Sequence, residues 1–148
     1  MAAIEEYQRL LASFENARVV EIGIAYGGSV GFLALTARPT RLVAIELATT
    51  RSELLDALIA DRDLEANVRL YYGTDQADVE RLNEIVRVEF ADQPLDLVID
   101  DGSHLYDASV ATFECLFPRL RAGGRYLIED WGCDHAIRSL LSAALADP

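Results

Sequence analysis

The 148 residues suffice for one domain with one sizeable core, and an apolar share of 51% beside a charged share of 26% is the balance of a soluble globular chain. A formal net charge of −12, with no basic stripe, disfavours nucleic acid as a partner, because an acidic surface repels phosphate backbones. No apolar run approaches the roughly 20 residues of a membrane helix. Glu5, Glu6 and Arg9 in the first turns argue against a secretory leader, and Cys115 and Cys133 lack metal or disulfide spacing, so the expected compartment is the cytoplasm.

In chain order, Ile4, Tyr7, Leu10, Leu11 and Phe14 recur at helical spacing and predict an opening amphipathic helix. Arg18 to Gly23 is short, β-branched and stopped by glycine, a buried strand. A helix is expected over Ser29–Ala37, closed by Pro39, then a strand over Leu42–Ile45 that ends at Glu46. Ser52–Ile59 is the next helix, Val68–Tyr72 the third strand and Gln76–Phe90 a helix with apolar residues on one face. Asp96–Asp100 is the fourth strand, Ala108–Leu120 a helix, Arg125–Glu129 a fifth strand after Gly123-Gly124, and Asp134–Leu145 a last helix. Strands alternating with helices imply right-handed crossovers and a parallel sheet covered on both faces. The expected architecture is therefore α/β, a Rossmann-like doubly wound sheet of about five parallel strands, with residues 1–148 forming a single domain.

In such a sheet ligands bind beyond the carboxyl ends of the strands, where the strand order reverses. A carboxylate stands at or just after each of those ends here: Glu21, Glu46, Asp75, the pair Asp100-Asp101, and the pair Glu129-Asp130. The first loop runs Glu21-Ile22-Gly23-Ile24-Ala25-Tyr26-Gly27-Gly28-Ser29. Gly23 lets the chain turn sharply, Gly27 and Gly28 keep the next turn low, and Ser29 is expected to cap the following helix. The hydride-transfer fingerprint GxGxxG is broken by Ala25, and this wider loop suits a nucleoside and amino-acid ligand better than a pyrophosphate. Glu46 is placed to accept from ribose hydroxyls, which supports a ribose without choosing its cofactor. Asp75 is a candidate for an adenine amino group or, equally, a helix cap. Asp101, Glu129 and Asp130 can converge on one hard cation, and His104, three residues past Asp101, can act as a general base; ordinary capping and solvation are the alternatives.

The run DLVIDDGSHLYDASVATFECLFPRLRAGGRYLIEDW, Asp96 to Trp131, resembles the metal-dependent O-methyltransferases of the macrocin and mycinamicin type, which modify macrolide sugars, and is similar to the related cephalosporin hydroxylase-type proteins. The loop Glu21–Ser29 resembles the first motif of class I S-adenosylmethionine-dependent methyltransferases. The resemblance covers roughly residues 17 to 135. It implies S-adenosylmethionine as cofactor, bound by Glu21, Gly23, Tyr26, Gly27, Ser29, Glu46, Asp75 and Asp100. It also implies magnesium on Asp101, Glu129 and Asp130, with His104 as the catalytic base, and a small-molecule hydroxyl as methyl acceptor.

Against that resemblance, the C-terminal antiparallel hairpin of the full class I fold and the auxiliary N-terminal region of the macrolide enzymes are expected to be missing. Two expectations follow: an incomplete acceptor pocket, and a fifth-strand edge covered by a second copy of the chain. A non-catalytic S-adenosylmethionine-binding accessory module and, less favoured, a nucleotide-dependent oxidoreductase are the competing readings.

Overall fold

The computed structural model describes Phe14 and residues 16–129. The expected terminal helices, Asp130, Cys133 and His135 lie outside the described residues. The elements are β1 (Arg18–Ile22), α1 (Gly28–Thr36), β2 (Arg41–Glu46), α2 (Glu53–Asp61), β3 (Val68–Tyr72), α3 (Val79–Phe90), β4 (Leu95–Asp100), α4 (Tyr106–Leu116), a 3-10 turn (Phe117–Arg119) and β5 (Leu120–Ile128). All strand pairings are parallel, in the order β3-β2-β1-β4-β5. The order reverses between β1 and β4, so the sheet switches direction at the loop that follows β1.

Side chains alternate across the strands and sort the apolar residues into two layers. On one face Val30 and Leu33 of α1 with Leu55 and Ile59 of α2 pack on Val19, Leu42, Ala44, Leu97 and Ile99. On the other, Leu82, Ile85, Val86 and Phe90 of α3 with Leu116 of α4 pack on Val20, Ile22, Val43, Ile45 and Val98. β1 and β4, central and covered on both sides, are buried along nearly their whole length. At the amino end Asp96 joins the two sides of β4. Its carboxylate accepts from the Arg18 amide (2.8 Å), the Arg18 side chain (3.2 Å) and Arg121 Nε (2.5 Å). Burial pushes the Asp96 pKa up, but those hydrogen bonds outweigh it and hold the group below its ordinary value.

Four boundaries differ from expectation, each for a local reason. Ser29 does not cap α1: Gly27, in the left-handed region, stands at the cap position, and Ser29 lies inside the helix with its hydroxyl on Glu21. α3 starts at Val79 because Asp78 caps it, accepting from the Arg81 amide at 3.0 Å, which leaves Gln76 in the preceding loop. The α4 helix gives way at Phe117 to a 3-10 turn containing Pro118, whose ring nitrogen cannot donate. β5 begins earlier than expected. Leu120 pairs with Leu95 and Arg125 with Leu97, so β5 spends five residues where β4 spends two, and the excess bulges at Gly123 (φ 79°).

The ladder continues one step past the strand ends. Gly23 N donates to Ile45 O (2.8 Å), Asp101 N to Ile22 O (2.9 Å) and Glu129 N to Asp100 O (2.9 Å). Gly23, at φ 97°, passes so close to β4 that a Cβ would overlap the Asp101 carbonyl oxygen. Gly23→Ala therefore adds a left-handed non-glycine residue and a backbone clash. It is expected to lower the free energy of unfolding by about 2–4 kcal/mol, read as a shift of the urea midpoint, whereas Gly28→Ala, which meets no neighbouring atom, shifts it by less than about 1 kcal/mol.

Candidate functional site

Beyond the carboxyl ends of β1, β2, β3 and β4 lies a cavity of about 500 Å3, lined by Gly23, Ala25, Glu46, Asp75, Gln76 and the loop Asp101–His104, among others. It sits at the switch point, and its size suits a nucleoside-sized ligand.

The glycine loop that forms its near wall is held from two sides. Glu46, at the end of β2, turns its carboxylate back onto that loop: Oε2 accepts from the Ile24 and Ala25 amides (both 2.9 Å) and Oε1 from the Ala48 amide (2.8 Å). Burial raises the Glu46 pKa, and the amides outweigh that and bring it below the ordinary carboxylate value. The group is therefore an anion with acceptor capacity remaining on a cavity wall. From the other side, Ser52 Oγ donates to the Tyr26 carbonyl (2.8 Å), and Leu55 of α2 fills the space where a Gly27 Cβ would stand. Gly27 is thus required by helix packing as well as by its positive φ.

Behind this loop Glu21 is fully buried. One carboxylate oxygen accepts from the Ser29 hydroxyl, and the other has no hydrogen-bond partner. Burial pushes the pKa to about 8; Ser29 opposes that, while the charges of Glu129 and Asp101 add to it. Glu21 thus keeps one buried oxygen without a hydrogen-bond partner, in the field of two further carboxylates. Asp101 and Glu129 are brought together by the β4–β5 pairing, which matches Asp100 with Ile128. These are hard oxygen donors suited to a divalent cation. Among the described residues no three His, Cys, Asp or Glu side chains gather into a metal shell, and the third expected ligand, Asp130, lies outside them.

His104 stands with its Nε2 3.9 Å from Asp101 Oδ1, both side chains about 40% exposed, on backbone at φ 53°. Asp100, by contrast, is buried. Its oxygens take Gln76 Nε2 (3.3 Å), the Gly102 amide (3.4 Å) and the Tyr126 hydroxyl (3.4 Å), and burial raises its pKa against those bonds.

Of the residues the sequence singled out, Gly23, Glu46, Asp75, Asp101 and His104 line the cavity. Glu21, Ser29 and Asp100 stand behind it, and the Tyr26 side chain is 91% exposed, away from its lining. Asp75 does hold a turn, accepting from the Ala77 amide at 2.8 Å, and still faces the cavity. Sequence reasoning missed Gln76 and Tyr126, which bond Asp100, and Thr112, which bonds Gln76. A polar glutamine between a strand end and an apolar helix was the one visible sign of the first.

The family described as a methyltransferase domain matches residues 20–131. The chain is 43% identical to the 8-demethyl-8-alpha-L-rhamnosyl tetracenomycin-C 2'-O-methyltransferase of Streptomyces olivaceus, over 41% of this chain and 20% of that protein. It is 46% identical to the mycinamicin VI 2''-O-methyltransferase of Micromonospora griseorubida, over 45% of this chain and 16% of that protein. Among solved structures it is similar to the MycE methyltransferase from the mycinamycin biosynthetic pathway in complex with Mg, SAH and mycinamycin VI. The TM-score is 0.66 at 31% identity, covering 85% of this chain and 33% of that one. The chain thus spans a third or less of the length of these relatives.

Glu21 generates a sign-definite prediction. With its folded pKa near 8 and an ordinary unfolded value, the folded state holds an extra proton between about pH 4.5 and 8. Stability is then full below that window and lost as pH rises through it. Without divalent cation, Glu21→Gln is expected to match wild type near pH 4.5 and to gain on it by roughly 1 kcal/mol per pH unit up to pH 8, measured by paired denaturant titrations. A pH-independent difference contradicts the burial account.

Proposed function

As the chain belongs to the methyltransferase domain family, we propose that it carries the methyl group of S-adenosylmethionine to a hydroxyl of a small sugar-bearing molecule, with magnesium at the acidic end of the site. The observation that carries the reading is the cavity at the β1/β4 switch point, walled by a glycine loop and an anionic Glu46 and flanked by Asp101 and His104.

Glu46 would accept from the ribose hydroxyls with its remaining lone pairs, and Asp75 would meet the adenine side. The amino-acid end would lie along the Gly23 wall of the cavity, where its positive ammonium would meet the field of Asp101 and of the buried Glu21. Asp101 and Glu129, together with Asp130, would hold the magnesium; a divalent cation, when bound, lowers the pKa of a hydroxyl beside it. His104 would remove the acceptor's proton, and the freed oxygen attacks the sulfonium methyl in line. The C–O bond forms as the C–S bond breaks, leaving S-adenosylhomocysteine. The chain's main work is to hold oxygen and methyl in line.

The net charge of −12 supports a small-molecule acceptor over a nucleic acid, and the cytoplasm is the proposed compartment. No helix among the described residues is long and apolar enough to cross a membrane. β5 is an edge strand among the described residues, and a second copy is the proposed cover for it. A concentration-independent monomer in sedimentation removes that part.

Calorimetry is expected to show S-adenosylhomocysteine binding and no heat with NAD, with Glu46→Ala weakening the former at least about tenfold. Asp101→Asn should abolish any gain in sugar-diol binding on adding magnesium, and His104→Gln should lower kcat by about 100-fold or more while leaving the S-adenosylhomocysteine Kd in place. Equal binding of NAD, or magnesium binding unchanged in Asp101→Asn, contradicts the reading.

A further inference from the structure

Gln76 is buried at the back of the cavity, and its amide oxygen and both of its amide N–H donors are used. Oε1 accepts from the Ser103 amide at 2.6 Å. Nε2 donates to Asp100 Oδ1 at 3.3 Å and to Thr112 Oγ1 at 3.2 Å. The orientation has one solution: the Ser103 N–H demands an acceptor, while Asp100 demands a donor. The Thr112 hydroxyl spends its proton on the carbonyl of Ala108 (2.9 Å) or of Gln76 itself (3.1 Å), so its oxygen must accept. One side chain therefore ties four pieces of the fold together: the loop after β3, the end of β4, helix α4 and the loop that carries Asp101 and His104.

The tie also shapes that loop. A Cβ on Gly102 would overlap Gln76 Oε1, so residue 102 is glycine because the amide fills its side-chain space. The next two residues follow the path the amide sets: Ser103 is anchored by its N–H, and His104 turns into the left-handed region, which a non-glycine residue adopts only when its neighbours hold it there. Ser103 and His104 are themselves exposed; the loop is tied at its base by Asp101 N on Ile22 O (2.9 Å) and the Gly102 amide on Asp100 (3.4 Å), and at Ser103 it is Gln76 that takes the backbone N–H.

We propose that Gln76 is a positioning residue for the proposed methyl transfer: its amide fixes the Gly102–His104 backbone and thereby sets where the His104 imidazole and the Asp101 carboxylate stand. The role rests on the methyltransferase reading, but the backbone hold can be measured apart from it. Gln76→Met keeps the length and removes both functions of the amide. Gln76→Glu keeps an acceptor for Ser103 but sets a second carboxyl against Asp100, and it can donate there only when it is protonated.

Amide hydrogen exchange, without ligand, is the first readout. In wild type the Ser103 N–H should be protected despite its exposure. In Gln76→Met its exchange should rise about tenfold or more, the scale of one lost hydrogen bond, while β1 and β4 amides stay unchanged, and in Gln76→Glu Ser103 protection should return. The second readout is kinetic: Gln76→Met is expected to lower kcat by about 100-fold with the S-adenosylhomocysteine Kd within a few-fold of wild type, the signature of misplaced catalytic groups on an intact cofactor site. If Gln76→Met does not fold, wild type and Thr112→Val decide the matter. Free exchange at Ser103 in wild type, or Ser103 exchange unchanged in Gln76→Met, overturns the proposal. Failure of wild type to bind S-adenosylhomocysteine contradicts the methyltransferase reading instead and leaves the exchange result standing.

Discussion

At the tops of β1 and β4 two backbones pass so closely that a side chain on Gly23 would collide with the Asp101 carbonyl oxygen. Nearly everything else at the site follows from that contact. It is possible because β1 and β4 are neighbours in register, with Ile22 opposite Asp100, although 72 residues and three helices lie between the two strands in the chain. It brings the glycine loop against the Asp101–His104 loop, and the reversal of strand order opens the cavity between them. The same constraint selects residue types on both sides: glycine at 23 because of β4, and glycine at 102 because of Gln76 and Ile22.

The second organising feature is unbalanced negative charge. Glu46 and Asp96 are carboxylates whose burial is more than offset by donors, and both are held below their ordinary pKa. Glu21 and Asp100 are the reverse, with burial winning. For Asp100 the partners are internal, and the group serves as an acceptor that locks Gln76 and Tyr126. For Glu21 one oxygen has no partner at all, and the nearest charges are like its own. An orphaned buried oxygen costs about 1–3 kcal/mol, a cost that a bound cation or ammonium would remove. Glu46, Asp96 and Asp100 thus find their donors within the fold, and Glu21 alone of the four keeps an oxygen without one.

Much of this was legible in the chain. Apolar runs that switch between two-residue and helical periods gave the order of elements, and the third strand came out with its observed bounds, because parallel strands buried on both faces leave little else for such runs to be. The carboxylates at the strand ends located the site, since topology brings those ends together wherever the strands are parallel. What sequence patterns could not supply was side-chain direction. Ser29 carries the chemistry of a cap, yet it faces Glu21 from inside the helix, because Gly27 takes the cap position with a backbone no serine would favour. Gln76 looked like the first residue of a helix; its role depends on Asp100, Thr112 and Ser103, all more than 20 residues away. β5 was missed over its first half because the Gly123-Gly124 bulge has the composition of a turn.

The central claim is that the β1/β4 switch point, and no other cleft, receives a sulfonium nucleoside. A cavity of similar size lies at the opposite end of the sheet, beside Arg38 and Arg62, and supplies the natural control. Amide chemical-shift mapping with S-adenosylhomocysteine distinguishes them directly. The account predicts saturable shifts confined to Gly23–Gly27, Glu46–Leu47, Thr74–Gln76 and Asp101–His104. Shifts clustered on Arg38, Arg62 and Asn67, or none at millimolar ligand, would contradict it.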